Sequence, residues 1–169
     1  MAHSLILGMT ESGKTTLAKK LAHIYREKDI AIIVLDMMND PEWPSGPGTY
    51  KTHDPDIFLE VFWKSKSCAV FIDESGDAIG RYNTAMNQTA TKGRHWGHQC
   101  HYITQRGAQL ATTVRDQCSH LFLFTSSLND SKIHADEWNQ PELRTACNLP
   151  QGEFFHVTRF GALHREKLF

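Results

Sequence analysis

Leu5-Ile6-Leu7-Gly8-Met9-Thr10-Glu11-Ser12-Gly13-Lys14-Thr15 is the stretch on which the fold turns. Three apolar residues suit a buried strand. The next eight have the spacing of a phosphate-binding P-loop, and the residues after them have the pattern of a helix. A strand, a glycine loop and a helix in that order give the motif its physical meaning. Backbone N–H groups of the loop and of the helix N-terminus surround a polyphosphate. On this reading Gly8, Thr10, Ser12, Gly13, Lys14, Thr15 and Thr16 form the cradle. Lys14 reaches the terminal phosphates and the Thr15 hydroxyl ligates Mg²⁺. The expected ligands are ATP and Mg²⁺.

Working outward, Leu17, Leu21, Ile24 and Tyr25 recur at helical spacing and predict one apolar stripe on the first helix. Ala31 to Leu35 is a continuous apolar run, as expected of a parallel strand covered on both faces. Residues 37–53 carry three prolines and two glycines and read as a loop. Asp54-Pro55 resembles an N-cap with proline at the first helical position, followed by Ile57, Phe58, Val61 and Phe62 as a buried face. Further strands are expected at Cys68–Ile72, Tyr102–Thr104 and Leu121–Phe124. An exposed helix is expected in the polar stretch 83–92, and short helices near 110–115, 131–138 and 142–147. The pieces 153–159 and 162–167 read as a C-terminal β-hairpin. Strands alternating with helices around the P-loop predict an α/β fold with a central, mostly parallel sheet. No linker divides the 169 residues, so a single domain over 1–169 is expected.

Composition narrows the function classes. The formal net charge is -1, so the chain lacks the global basic signature of a nucleic-acid binder. Four cysteines without a C-x-x-C pair suit a reduced, cytoplasmic setting. No apolar run approaches the roughly 20 residues that span a bilayer, so no membrane insertion by this chain is expected.

The apolar strand Cys68–Ile72 ends in Asp73-Glu74, the pattern of a Walker B strand. A carboxylate at that edge faces the P-loop Mg²⁺, and a second beside it activates water. Asp73 is thereby assigned to the metal and Glu74 to the water. Gln105 follows another strand and could sense the γ-phosphate, although a surface glutamine fits the spacing equally well. His95, His98, Cys100 and His101 cluster, but not at zinc-finger spacing, and packing is the expected role. Trp43, Trp63, Trp96 and Trp138 are expected as core or interface anchors.

These residues resemble the motor domain of the HerA/FtsK superfamily of DNA-translocating ATPases. The resemblance rests on Asp73-Glu74-Ser75-Gly76-Asp77, on Arg94 followed by Gly97, and on Thr104-Gln105-Arg106, together with Thr10 in the P-loop. Two positions depart from the pattern. Glu11 stands where many relatives have glycine, and Gly107 where they have proline. The resemblance implies a RecA-like P-loop NTPase fold and a homo-oligomer, a hexameric ring with ATP at subunit interfaces. Arg94 would be the finger that reaches a neighbour's γ-phosphate, with Arg106 and Arg115 as alternatives. A bare motor of this length is most similar to the compact genome-packaging ATPases of tailless, membrane-containing viruses and phages. That similarity implies double-stranded DNA as substrate, capsid or membrane-vertex proteins as partners, and a place in the host cytoplasm or at the virion vertex. An assembly or export ATPase like those of filamentous phages is the nearby alternative. A small P-loop kinase using Asp36 is the distant one.

Overall fold

The apolar run before the glycine loop is strand β1 (His3–Leu7), buried along its whole length. The computed structural model describes residues 2–73 and 83–169, except the Asn83 side chain. Seven further strands join β1 among these residues: β2 (Ile32–Leu35), β3 (Thr49–Thr52), β4 (Ala69–Ile72), β5 (Gln99–Thr104), β6 (Cys118–Phe124), β7 (Glu153–Thr158) and β8 (His164–Lys167). They form one sheet in the order β3-β2-β4-β5-β1-β6-β7-β8. The first six in that order are parallel; β7 and β8 return antiparallel, as the expected hairpin. The fold is therefore the expected RecA-like α/β arrangement.

The unbroken apolar runs follow from burial on both faces, because successive strand residues point to opposite sides. Ile6, Val34, Phe71, Ile103 and Phe124 pack with Leu17, Ala18 and Ala22 of helix α1 (Lys14–Glu27). Leu5, Leu7, Leu35, Ile72, Tyr102 and Leu123 face the other way, against Phe58 and Phe62 of helix α2 (Pro55–Lys64) and Met86 and Ala90 of helix α3 (Asn83–Lys92). Helices α4 (Thr112–Asp116) and α5 (Leu128–Glu137) and three 3₁₀ segments (Gly93–Trp96, Gly107–Gln109 and Pro141–Asn148) complete the described helical elements.

Several local expectations hold for the stated reasons. Asp54 caps α2, its carboxylate accepting from the N–H of Asp56 at 2.9 Å, with Pro55 at the first turn. Others need correction. Residues 37–53 are not all loop: Thr49–Thr52 pairs with β2 as an edge strand whose polar residues hide it from an apolar pattern. The stripe of α1 is shifted, since Ile24 is exposed and the small Ala18 and Ala22 lie against the sheet instead. Ile57 likewise faces outward. Helix α3 is less exposed than its composition suggests. Met86, Thr89 and Ala90 are buried, and the Thr89 hydroxyl bonds Tyr102 Oη at 2.7 Å.

The histidines near β5 act as cross-ties. His98 Nδ1 accepts from the Cys68 N–H at 3.1 Å and its Nε2–H donates to the Phe62 carbonyl at 2.9 Å. His3 links the Cys100 N–H to the Ala90 carbonyl. His101 bridges Ser4 and Tyr25. These bonds, with the full burial of Cys100, place His98, Cys100 and His101 in the packing around β5. No helix described is long and apolar enough to cross a membrane.

Candidate nucleotide site

The glycine loop leaves β1 at its carboxyl end and enters α1 at Lys14. Its path is pinned by backbone bonds, Met9 N–H to the Thr125 carbonyl at 2.8 Å and Ser12 N–H to the Met9 carbonyl at 3.2 Å. Gly8 is needed because a β-carbon there would lie 2.6 Å from the Phe124 Cβ. Gly13 precedes the helix with φ +116, a conformation that L side chains rarely adopt. The helix N-terminus thus opens with free N–H groups and no capping side chain, as an anion site requires.

Two side chains in the loop suit a polyphosphate. Ser12 is buried, and its Oγ has no hydrogen-bond partner among the described residues. Buried hydroxyls are rarely left unpaired, and one in this loop is placed to meet a ligand oxygen. Lys14 is 5% exposed, and its ammonium makes a long bond, 3.4 Å, to the Met9 carbonyl. A buried ammonium at the mouth of the loop fits an anionic guest. Lys14, Thr15 and Thr16 line a cleft of about 340 Å³ with Glu11, Gly13, Gln151 and Phe169. A second cleft of about 520 Å³ begins on the other side of the loop, between Met9, Thr10, Gln105, Arg106, Ser127 and Asp130. The donor set therefore fits ATP and Mg²⁺: loop amides and Lys14 for phosphate, the Thr15 hydroxyl and Asp73 for the cation.

Sheet order brings the remaining candidates to the same edge. In register, Leu7 lies beside Thr104, so Gly8 and Gln105 emerge from adjacent strands. Ile72 lies beside Tyr102, so Asp73 leaves the next strand over, two places from β1. At a strand spacing of about 4.8 Å, that sets the Asp73 backbone roughly 10 Å from the loop strand. The interval suits a carboxylate that meets the cation through water. Asp73 is buried, and its N–H bonds the Leu35 carbonyl at 3.0 Å. Glu74 and Asp77 lie outside the described residues.

Arg94 is not part of this cluster. It sits in a 3₁₀ turn (Gly93–Trp96) just before β5, at the sheet edge opposite the glycine loop. Its guanidinium is exposed and donates to the Gln117 carbonyl at 2.5 Å. Gly97 closes the turn at φ +74, with its N–H on the Arg94 carbonyl at 2.9 Å, which explains the three-residue interval from arginine to glycine. Arg106 lies in the site itself, paired to the buried Asp130 at 3.3 Å. Arg115 is tied to Glu137 and largely covered.

Asp36, at the end of β2, does not fit the kinase role. It is 1% exposed, and its carboxylate accepts from the Met38 N–H at 3.0 Å and the Asp40 N–H at 2.5 Å. It organises the turn after β2.

Sequence reasoning missed Gln151 and Phe169. Gln151 stands two residues before β7. Its side chain donates to the Glu11 carbonyl at 2.8 Å, while the adjacent Gly152 N–H donates to the Ser12 carbonyl at 3.0 Å. No local pattern signals a contact between the two ends of the chain.

The structure is similar to that of the genome-packaging NTPase B204 from Sulfolobus turreted icosahedral virus 2, solved with AMPPCP. The TM-score is 0.82 at 17% identity, covering 99% of this chain and 97% of that one. The DNA-packaging ATPase B204 of Sulfolobus turreted icosahedral virus gives 0.79 at 18% identity, with 99% and 98% covered. VirB4 of Thermoanaerobacter pseudethanolicus gives 0.74 at 10% identity, with 99% and 89% covered. At such identities the likeness is one of fold. No curated protein matches the chain by sequence. The sequence model of the family described as helicase HerA, central domain, matches residues 1–89, which include the glycine loop and the Asp73-Glu74 pair. The chain belongs to the HerA central-domain family.

Proposed function

We propose that this chain is an ATPase that couples ATP hydrolysis to the movement of DNA, and that it works as a viral genome-packaging motor. The observation that carries the reading is the order β4-β5-β1 at one sheet edge, which lines up Asp73, Gln105 and the glycine loop. Lys14 and the loop amides hold the phosphates, and Thr15 and Asp73 hold Mg²⁺. Glu74 takes the proton of the attacking water, and Gln105 contacts the γ-phosphate. In-line attack on that phosphate needs positioning and charge stabilisation more than covalent chemistry. Arg94, on the far edge, supplies positive charge to the site of a neighbouring subunit. The assembly is a ring, which we take to be hexameric. Double-stranded DNA passes through it, and capsid or membrane-vertex proteins anchor it.

Support for the movement of DNA comes from the likeness of fold to genome-packaging NTPases and to the conjugation coupling protein TcpA of pCW3. The catalytic assignment is tested with Glu74→Gln. The variant should bind ATP with unchanged affinity and lose steady hydrolysis by about 100-fold or more, the scale of a lost general base. Undiminished turnover would remove Glu74 from the mechanism.

A further inference from the structure

Beyond the phosphate-handling residues, the far side of the glycine loop carries features that nucleotide hydrolysis does not use. Strands β5 and β4 lie to one side of β1, and with them Gln105 and Asp73. Strands β6, β7 and β8 lie to the other. Because β7 runs antiparallel, the residues just before it, Gln151 and Gly152, return to the loop edge. Because β8 reverses again, Leu168 and Phe169 emerge at that same edge. A triphosphate whose terminal phosphate faces Asp73 and Gln105 must point its nucleoside end toward Gln151 and Phe169.

Phe169 is built into that position. It lines the 340 Å³ cleft together with Lys14, Thr15 and Thr16. Its ring rests on Gly152, which has φ +83, and a β-carbon on that glycine would come within 2.7 Å of the ring. Leu168 is fixed by its N–H to the Gly152 carbonyl at 2.8 Å, and Gly152 is fixed in turn to the loop at Ser12. The result is an aromatic ring held at the mouth of the phosphate cleft and still 58% exposed. A phenylalanine so anchored and so open leaves an apolar face uncovered beside the cleft.

We propose that Phe169 is the platform on which the nucleotide base stacks, and that Gln151 and Gly152 set its distance from the glycine loop. This rests on the ATPase reading above. Stacking on an aromatic face is tolerant of base identity, since every base has a π-face. The site therefore favours nucleoside triphosphates over base-free polyphosphate, with little choice between ATP and GTP.

Calorimetric titration of the intact chain with ATP, GTP and inorganic tripolyphosphate, each with Mg²⁺, tests this. The unaltered chain should bind ATP and GTP similarly, and both roughly 5- to 100-fold more tightly than tripolyphosphate. Phe169→Ala should bring the three affinities together by weakening only the nucleotides. Phe169→Leu, which keeps apolar packing on Gly152 but has no ring, should do the same, and Phe169→Tyr should restore the difference. Nucleotides still favoured by the Ala and Leu variants would overturn the base platform and leave the ATPase reading standing. So would equal weakening of all three ligands, which would make Phe169 a brace for the loop. Failure of the unaltered chain to bind any of the three would overturn both readings.

Discussion

Gln151 donates its side-chain N–H to the carbonyl of Glu11 at 2.8 Å, joining residues 140 apart in sequence. With the Gly152–Ser12 bond beside it, this contact clamps the glycine loop from the C-terminal side. The clamp bears on the loop's least comfortable residue. Glu11 has φ +63, in the left-handed region that favours glycine. The backbone thus accounts for the glycine that relatives carry at this position.

Glu11→Gly should relieve that conformation and remove a negative charge from the rim of the phosphate cleft. The variant is expected to be more stable by about 1 kcal/mol and to bind ATP more tightly. Chemical denaturation and nucleotide titration check both. A less stable variant with weaker binding would mean that the Glu11 side chain has a role of its own.

Arg94 lies at the opposite edge of the sheet from the glycine loop of its own chain, so the proposed catalytic effect is exerted on a neighbour's site. Arg94→Ala protein mixed into unaltered protein should depress hydrolysis more steeply than dilution alone, because each altered subunit disables a site beside it. The loss at full replacement is expected at about 10³-fold, the scale of arginine fingers in other nucleotide hydrolases. A loss linear in the mixing ratio would argue against action in trans.

Acid stability should reflect the buried histidines. Burial, aided by the nearby Arg94 charge, lowers the His3 pKa to about 4, and burial, aided by His3, lowers that of His101 to about 3. Unfolded histidine titrates near 6.5, so below that pH the unfolded chain binds more protons than the folded one. The stability these neutral rings contribute is fully present above about pH 6.5. It is lost progressively as the pH falls toward 4 and, for His101, toward 3. His3 alone corresponds to about 3 kcal/mol over its window. Urea midpoints measured between pH 7 and pH 5 should fall steadily, before most carboxylates titrate. A flat profile over that interval would contradict the burial of neutral histidine.

What was legible in the sequence divides along physical lines. Doubly buried strands announce themselves because both faces need apolar residues, and so β1, β2, β4, β5 and β6 were readable. The edge strand Thr49-Tyr50-Lys51-Thr52 was not, because one parallel neighbour and a solvated flank impose no apolar pattern. Helix α1 misled in its details. Close approach to the sheet favours Ala18 and Ala22, while the larger Ile24 turns outward. The glycine loop is a local motif, so its candidate phosphate ligands are named one by one from the sequence alone. Gln151 and Phe169 reach the site only through the order and direction of β7 and β8, which short-range spacing does not encode.

The central claim is that ATP hydrolysis serves movement along DNA. The most direct measurement is the ATPase rate of the assembled protein with long double-stranded DNA, short blunt duplexes, single strands, or no DNA. The account predicts a rate raised severalfold by long duplex and less by the other strands, with the effect fading as salt weakens phosphate contacts. A rate indifferent to DNA, with ATP consumed only when a small phosphate acceptor is supplied, would contradict it.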